Sequence, residues 1–208
     1  MLLMSPPAPT LTWKAKIWFC ALALSATVVP VLLALKVRWN WTHVHQHCIK
    51  VAGMAFRTYA INHEGRYPSH TNGFGDALAL LAVEQPEMAH NLVGVDDDGS
   101  RLLAAATNHT HLRDEVCTRI YVQGLGETNT SSLAILFDRY AVVGGDHHRG
   151  KGSYLREVLF VGDYVQEVAL KDWPAFARSQ VELLVQEGIV RPVAEAYYAP
   201  TLRPDAIR

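Results

Sequence analysis

Residues 17–35, IWFCALALSATVVPVLLAL, run for nineteen positions without a charged side chain, and no other stretch limits the fold so strongly. At about 1.5 Å rise per residue, a helix of that length covers roughly 28 Å, close to the ~30 Å hydrocarbon core of a bilayer. Lys14 and Lys16 precede the run, Lys36 and Arg38 follow it, and Trp13, Trp39 and Trp41 stand where interfacial aromatics belong. Pro30 is compatible with a membrane helix when a kink or a neighbour satisfies the carbonyl it frees. A cleaved signal peptide is the competing reading, with Ala23-Leu24-Ser25 as small residues for cleavage. The apolar run, however, continues through VVPVLLAL, further than such a peptide requires. A lipoprotein site at Cys20 is disfavoured because Trp18 and Phe19 stand where small residues are needed. The expectation is a transmembrane helix over 17–35 that contacts membrane lipid, with 1–16 on the cytoplasmic side.

The charge is distributed unevenly around that run. Residues 1–63 carry six Lys and Arg and no Asp or Glu, so the other thirteen basic residues face all twenty acidic ones in 64–208. A nucleic-acid binder concentrates positive charge on its folded part, and here that part is acidic, so no nucleic-acid partner is expected. Half of the 208 residues are apolar, which excludes disorder for most of the chain, and three cysteines exclude a disulfide-dense scaffold.

From Lys36 no helix stop signal appears until Gly65 and Pro68. Val44, Cys48, Val51, Ala52, Ala55 and Tyr59 recur at helical spacing and form one apolar stripe. The expectation is one helix from about Ile17 to about Asn62, amphipathic over 36–63, closed by Gly65 in the left-handed position. A globular head over 64–191 follows. It begins with a helix over Asp76–Glu84 capped by Asp76 and closed by Pro86, then a turn at Asp96-Asp-Asp-Gly99 and a short helix over Ser100–Thr107. The Asp96 turn lacks the alternating ligands and distal Glu of a calcium loop. Strands are expected over Thr118–Val122, Leu133–Phe137, Glu157–Val161 and Tyr164–Val168, the last two joined by Gly162-Asp163 as a two-residue type II′ hairpin. A helix over Pro174–Gln186 follows, with Phe176, Val181, Leu184 and Val185 facing inward. The tail 192–208 reads as an irregular surface strap. The fold class expected is α+β: a long N-terminal helix packed on a small antiparallel sheet.

Two ordered regions resemble the bacterial pseudopilin-like families whose C-terminal signature is a His followed nine residues later by Asp-Gly. One is Cys48-Ile-Lys50 through Ala60-Ile-Asn-His-Glu-Gly-Arg-Tyr-Pro68. The other comprises Tyr121-Val-Gln-Gly-Leu125, Leu133–Arg139, Gly144-Gly-Asp-His147 and Glu157-Val-Leu-Phe160 with its hairpin. The resemblance implies a pilin-like architecture and a structural role in a type II secretion or pilus-like assembly. It also implies a single-pass inner-membrane anchor, with the head on the periplasmic side and self-association or assembly components as partners. The chain departs from the family at its start. Trp13-Lys-Ala-Lys-Ile17 stands where the peptidase site would be, and the glutamate that neutralises a neighbouring subunit's amino terminus is missing. Thirteen residues separate His148 from Gly162, with Gly150–Ser153 resembling an insertion, and the family's Asp-Gly appears inverted as Gly162-Asp163. An anchored binding module that is neither processed nor polymerised is therefore the alternative function.

His147, His148, Asp138, Gly162 and Asp163 are the residues of this signature, and loop ordering rather than metal binding is the role expected of Asp146-His147-His148. Asp138 and Arg139 are expected to pair locally. His43 and His47, with His45 and Cys48 nearby, share a helix face but lack further ligands in sequence, so no metal is expected there. No nucleophile elbow, Walker loop, dinucleotide fingerprint or HExxH motif occurs, so neither catalysis nor a cofactor is expected. A metal-dependent enzyme using His147 or His148 is the weakest reading. Cys48 and Cys117 are candidates for a disulfide in an oxidising compartment, the alternative being two small buried apolar side chains.

Overall fold

The computed structural model describes residue 13 and residues 28–33, 49–93, 99–143 and 154–203. The chain divides into two units, Met1–Trp41 and Thr42–Arg208. In the first, residues 28–33 are helical and exposed. The rest of the expected span 17–35 lies outside the described residues, as does the 34–48 stretch that would join it to the head. Among the described residues no helix is long and apolar enough to cross a membrane.

The second unit is α+β, built on an antiparallel sheet. Its strands are β1 (Arg119–Tyr121), β2 (Ala134–Asp138), β3 (Val142–Val143), β4 (Tyr154–Phe160) and β5 (Val165–Ala169). β2 lies between β1 and β4, β5 lines the far edge of β4, and β3 prolongs the line of β2 along the first residues of β4. The register aligns Tyr121, Leu136 and Leu159 on one face and Ile120, Phe137 and Val158 on the other. β2 is buried at four successive positions, Ala134–Phe137, without alternation. That pattern belongs to a strand covered on both faces.

Helix α1, residues 49–62, covers the Tyr121 face: Phe56 stacks on Tyr121 with ring centroids 4.9 Å apart. Its buried residues include Ile49, Ala52, Ala55, Phe56, Tyr59 and Ala60. The stripe is therefore centred on Ile49, Gly53, Phe56 and Ala60, with Val51 only half-buried; Val44 and Cys48 lie outside the described residues. Gly53 decides this orientation. A Cβ there would come within 2.8 Å of Asp163 Oδ1 and 3.1 Å of Leu159 Cδ1, so the helix meets the sheet where it has no side chain. The helix closes as expected, with Gly65 left-handed (φ 77°) and its N–H donating to the Ala60 carbonyl at 2.8 Å. The next residues dock on the sheet's margin. Arg66 bridges Gly126, Tyr67 N–H donates to Leu125 O at 3.1 Å, and the Tyr121 hydroxyl donates to Pro68 O at 2.7 Å. Helices α2 (Phe74–Glu84), α3 (Ala89–Val93) and α4 (Ser100–Asn108) complete this side.

The Phe137 face is covered by α5 (Trp173–Gln186) and α6 (Arg191–Tyr198). Phe137 stacks on Tyr198 at 4.8 Å and contacts Trp173 at 5.6 Å, while Phe160 meets Phe176 edge-on. The strap expected from Pro192 is instead this helix followed by a 3₁₀ turn, Ala199–Leu202. Pro192 sits in the first turn, where proline's missing N–H costs nothing, and Ala194 and Tyr198 are buried.

Three further expectations are corrected. The β4–β5 loop has three residues, because Leu159 pairs with Val165 and Asp163 N–H donates to Phe160 O at 2.9 Å. Asp163 is the left-handed residue (φ 59°), a conformation Asp tolerates, so the turn is the three-residue class rather than type II′. Gly162 is needed for proximity: its N–H donates to Ser131 O, and a Cβ would lie 3.0 Å from Ser131 Cβ. Asp138 and Arg139 do not pair, since successive residues at a strand end project to opposite sides. Asp138 accepts from Arg119 Nε (3.2 Å) and Glu157 N–H (2.9 Å), whereas Arg139 is buried and donates to Cys117 O (2.8 Å) and Asp114 O (2.5 Å). Finally, Asp76 does not cap α2, whose N-cap is Gly73.

Candidate functional site

The start of α2 and the segment after α4 hold each other by two reciprocal carboxylate contacts. Asp114 accepts the Gly75 N–H at 2.7 Å, satisfying one of the donors that a helix N-terminus leaves open. In the opposite direction, Asp76 of α2 accepts the Leu112 N–H at 2.6 Å. The approach is so close that a Cβ at Gly75 would sit 2.2 Å from the Leu112 carbonyl oxygen, and one at Gly73 (φ 143°) 2.6 Å from Asp114 Oδ1. Glycine is obligatory at Gly75 by space, because the clash is with backbone, and is favoured at Gly73 by its positive φ.

Around the second oxygen of Asp76 three side chains converge. Asn72 Nδ2 donates to it at 3.2 Å, His111 Nδ1 lies at 2.8 Å and His70 Nδ1 at 3.4 Å. Burial pushes the Asp76 carboxyl up, but the Leu112 N–H, His111 and Asn72 outweigh it and hold it below the ordinary aspartate value. Asp114 goes the other way: burial dominates, and the Gly75 N–H does not fully offset it, so its carboxyl is raised. His109 ends α4 in the left-handed conformation (φ 52°), which turns the chain so that His111 returns toward α2.

These groups form the polar end of a concave pocket of about 300 Å³. Ala79, Leu80 and Val83 of α2 and Ala105 and Ala106 of α4 form its apolar wall. The contact with Asp76 assigns the His111 tautomer. A carboxylate only accepts, so His111 carries its proton on Nδ1 and leaves a lone pair on Nε2. His70 Nδ1 lies between the Asn72 N–H (3.2 Å) and Asp76 Oδ2 (3.4 Å), contacts that favour opposite tautomers. Chemically, His111 with Asp76 is an oriented proton acceptor. Thr110 brings a hydroxyl to the same lining, which holds no serine or cysteine. Among the described residues no group of three or more His, Cys, Asp or Glu is arranged to hold a metal ion.

The residues singled out in sequence are dispersed. Asp138 belongs to a buried cluster in which Arg119, fully buried, also donates to Asn91 O and lies 3.7 Å from Glu157. Asp163 contacts α1 instead, 3.3 Å from Arg57. Cys117 is buried, with its Sγ 3.9 Å from Arg113 O, and its expected partner Cys48 lies outside the described residues. His43, His45, His47, Asp146, His147 and His148 also lie outside them. His70 and His111 were not singled out, and Asp76 was read only as a helix cap. The only sequence cues were a carboxylate within the otherwise apolar FGDALALLAV and the doublet His109-Thr-His111. A second concavity, about 410 Å³, opens between α5 and α6 beneath the bidentate Arg191–Glu182 pair (2.7 Å at both nitrogens). No protein-family model, curated protein or solved structure matches this chain.

Proposed function

We propose that this chain is a membrane-anchored, pseudopilin-like structural protein. Residues 17–35 hold it in the inner membrane, and the head is presented on the periplasmic side as a component of a secretion or pilus-like assembly. The supporting observation is the way the two regions of family resemblance meet. The Gly65-Arg-Tyr-Pro68 segment that ends α1 pairs with Leu125 and receives the Tyr121 hydroxyl, both from the second region, and bridges the adjoining Gly126. A helix that follows an apolar run and is pinned at its far end to an antiparallel sheet is the arrangement a pilin-like head requires. In membranes of cells expressing the full chain, alkaline carbonate should leave the protein in the pellet. External protease should reach the head only after the outer permeability barrier is opened, and crosslinking should yield a ladder of oligomers. Release by carbonate would overturn the anchor; a monomer under every crosslinking condition would overturn the assembly.

The second reading is an anchored binding module that does not polymerise. Two observations favour it: residues 1–63 contain no carboxylate to neutralise a neighbouring amino terminus, and the head carries the histidine-lined pocket. Intact mass separates the two, since a chain that retains Met1 has not undergone pilin-type maturation.

A further inference from the structure

We propose that Asn72 is a site of spontaneous deamidation, and that the carboxylate it becomes opens the clasp between α2 and the segment after α4. This stands apart from the anchored-head reading and holds whether or not that reading does.

Deamidation needs an asparagine whose carboxamide carbon, Cγ, can be attacked by the backbone nitrogen of the next residue. Of the six asparagines, Asn72 alone precedes a glycine. The others precede Trp41, His63, Leu92, His109 and Thr130, whose side chains crowd that approach. The fold leaves the reacting groups open. Asn72 is exposed, in the turn that leads into α2, and Gly73 is half-buried. Among the described residues the Gly73 N–H donates to no acceptor, while its carbonyl accepts the Ala77 N–H at 3.3 Å. Asn72 itself makes two contacts, its N–H to His70 Nδ1 and its Nδ2 to Asp76 Oδ2, both at 3.2 Å. Neither occupies the attacking nitrogen or Cγ.

The reaction consumes only water. The Gly73 nitrogen gives its proton to hydroxide and bonds to Cγ, the Cγ–Nδ2 bond breaks, and Nδ2 leaves as ammonia with a proton taken from water. Water then opens the cyclic imide, at Cγ to give aspartate or at the backbone carbonyl carbon to give isoaspartate. In both products a carboxylate stands where a carboxamide stood.

That exchange inverts a contact. Nδ2 donates to Asp76 Oδ2, whereas a carboxylate has no donor to offer and sets a like charge beside a buried one. Asp76 depends on its donors: the Leu112 N–H, His111 and Asn72 together outweigh burial and hold its carboxyl below the ordinary aspartate value. The other titratable groups facing it are His70 at 3.4 Å, His111 at 2.8 Å and Asp114 across the clasp. At about pH 8, where ordinary imidazoles are neutral, none of them offsets an added negative charge. Asp76 Oδ1 also accepts the Leu112 N–H at 2.6 Å, so a carboxylate pushed from its seat releases the segment after α4.

The test holds the full chain in detergent at about pH 8 and physiological temperature and follows each asparagine by peptide mass, with aspartate and isoaspartate distinguished by fragmentation. Asn72 should gain the mass of an oxygen-for-nitrogen exchange before any other asparagine. A parallel sample unfolded in urea gives the rate without the fold, and the folded chain should convert Asn72 within about tenfold of it. Slower conversion, or another asparagine converting first, would overturn the site. For the consequence, the converted fraction is separated from the intact chain by its extra charge. In that fraction and in Asn72→Asp, the Leu112 amide should exchange at least about tenfold faster than in the unconverted chain. Asn72→Ala loses the donor without adding charge and should accelerate it less. The aged wild-type protein keeps the comparison available if a variant does not fold. A smaller acceleration in the converted fraction, or one that Asn72→Ala reproduces in full, would overturn the opening of the clasp.

Discussion

The two faces of the sheet are covered by different means. On the Tyr121 face, contact depends on direction and clearance: Gly53 against Asp163, Gly75 against the Leu112 carbonyl, the Asp76 and Asp114 clasp, and Arg119 held by Asp138, Glu157 and Asn91. On the Phe137 face, Phe137, Tyr198, Trp173 and Phe176 fill the space with rings, and a fully buried Arg156 lies over Trp173 at 4.9 Å while donating to Thr201 O at 2.8 Å. Fitted contacts are brittle because a single added carbon or lost charge has nowhere to go. Aromatic packing is more forgiving, since neighbouring side chains of similar volume can readjust. The pocket lies on the brittle side, where geometry is held tightly enough to orient two imidazoles.

Substitutions should sharpen that contrast. Arg119→Ala removes the buried guanidinium beside Asp138 and Glu157 and should cost about 3–5 kcal/mol in urea unfolding. A loss under about 1 kcal/mol would mean that the contacts of Asp138 and Glu157 other than Arg119 suffice. Gly75→Ala forces backbone against the Leu112 carbonyl and should cost about 1–3 kcal/mol, with accelerated amide exchange at Leu112 as its local signature. On the other face, Leu184→Met in α5 keeps both volume and apolarity and should cost less than about 1.5 kcal/mol. If it proves as damaging as Gly75→Ala, the contrast between faces is wrong.

The clasp also has an acid signature. Asp76 titrates below its unfolded value near 3.9, so its stabilisation is complete above that value and is lost as pH falls through the lower folded one. Asp114 titrates above its unfolded value, so its contribution is present at low pH and is lost as pH rises through the folded one. Across urea titrations from about pH 3 to about pH 6, Asp76→Asn should flatten the loss of stability on acidification and Asp114→Asn should steepen it. The smallest effect belongs to the α5–α6 rim, where Arg191→Ala removes an exposed pair with Glu182 and should leave the melting temperature unchanged within error.

Much of the head was legible because local signals and tertiary demands agreed. Ser100–Asn108, Ala134–Asp138, Val165–Ala169 and Trp173–Gln186 appear within a residue or so of where periodicity puts them. The errors share one cause: a residue read for its local role serves a distant one. Asp76 looked like a cap for its own helix and instead receives Leu112 N–H, while the donor at Gly75 is satisfied by Asp114, thirty-nine residues on. Gly162 looked like the positive-φ residue of a hairpin and instead lets the loop lie against Ser131, leaving Asp163 to take the left-handed position. Pro192 looked like a helix breaker and instead occupies a helix's first turn. The pocket was invisible because His70, Asp76 and His111 share no spacing rule; they meet through the path of the chain.

By itself the sequence determined that α2, α4 and α5 are helices and that β1, β2, β4 and β5 are strands, where α1 stops, and that residues 17–35 carry no charge. Periodicity and cap chemistry act over a few residues and need no partner. Only the tertiary structure decided which face of α1 is buried, that both faces of the sheet are covered, and that two histidines converge on one aspartate. Those outcomes depend on clearances and unpaired donors between segments far apart in the chain, which no local pattern records.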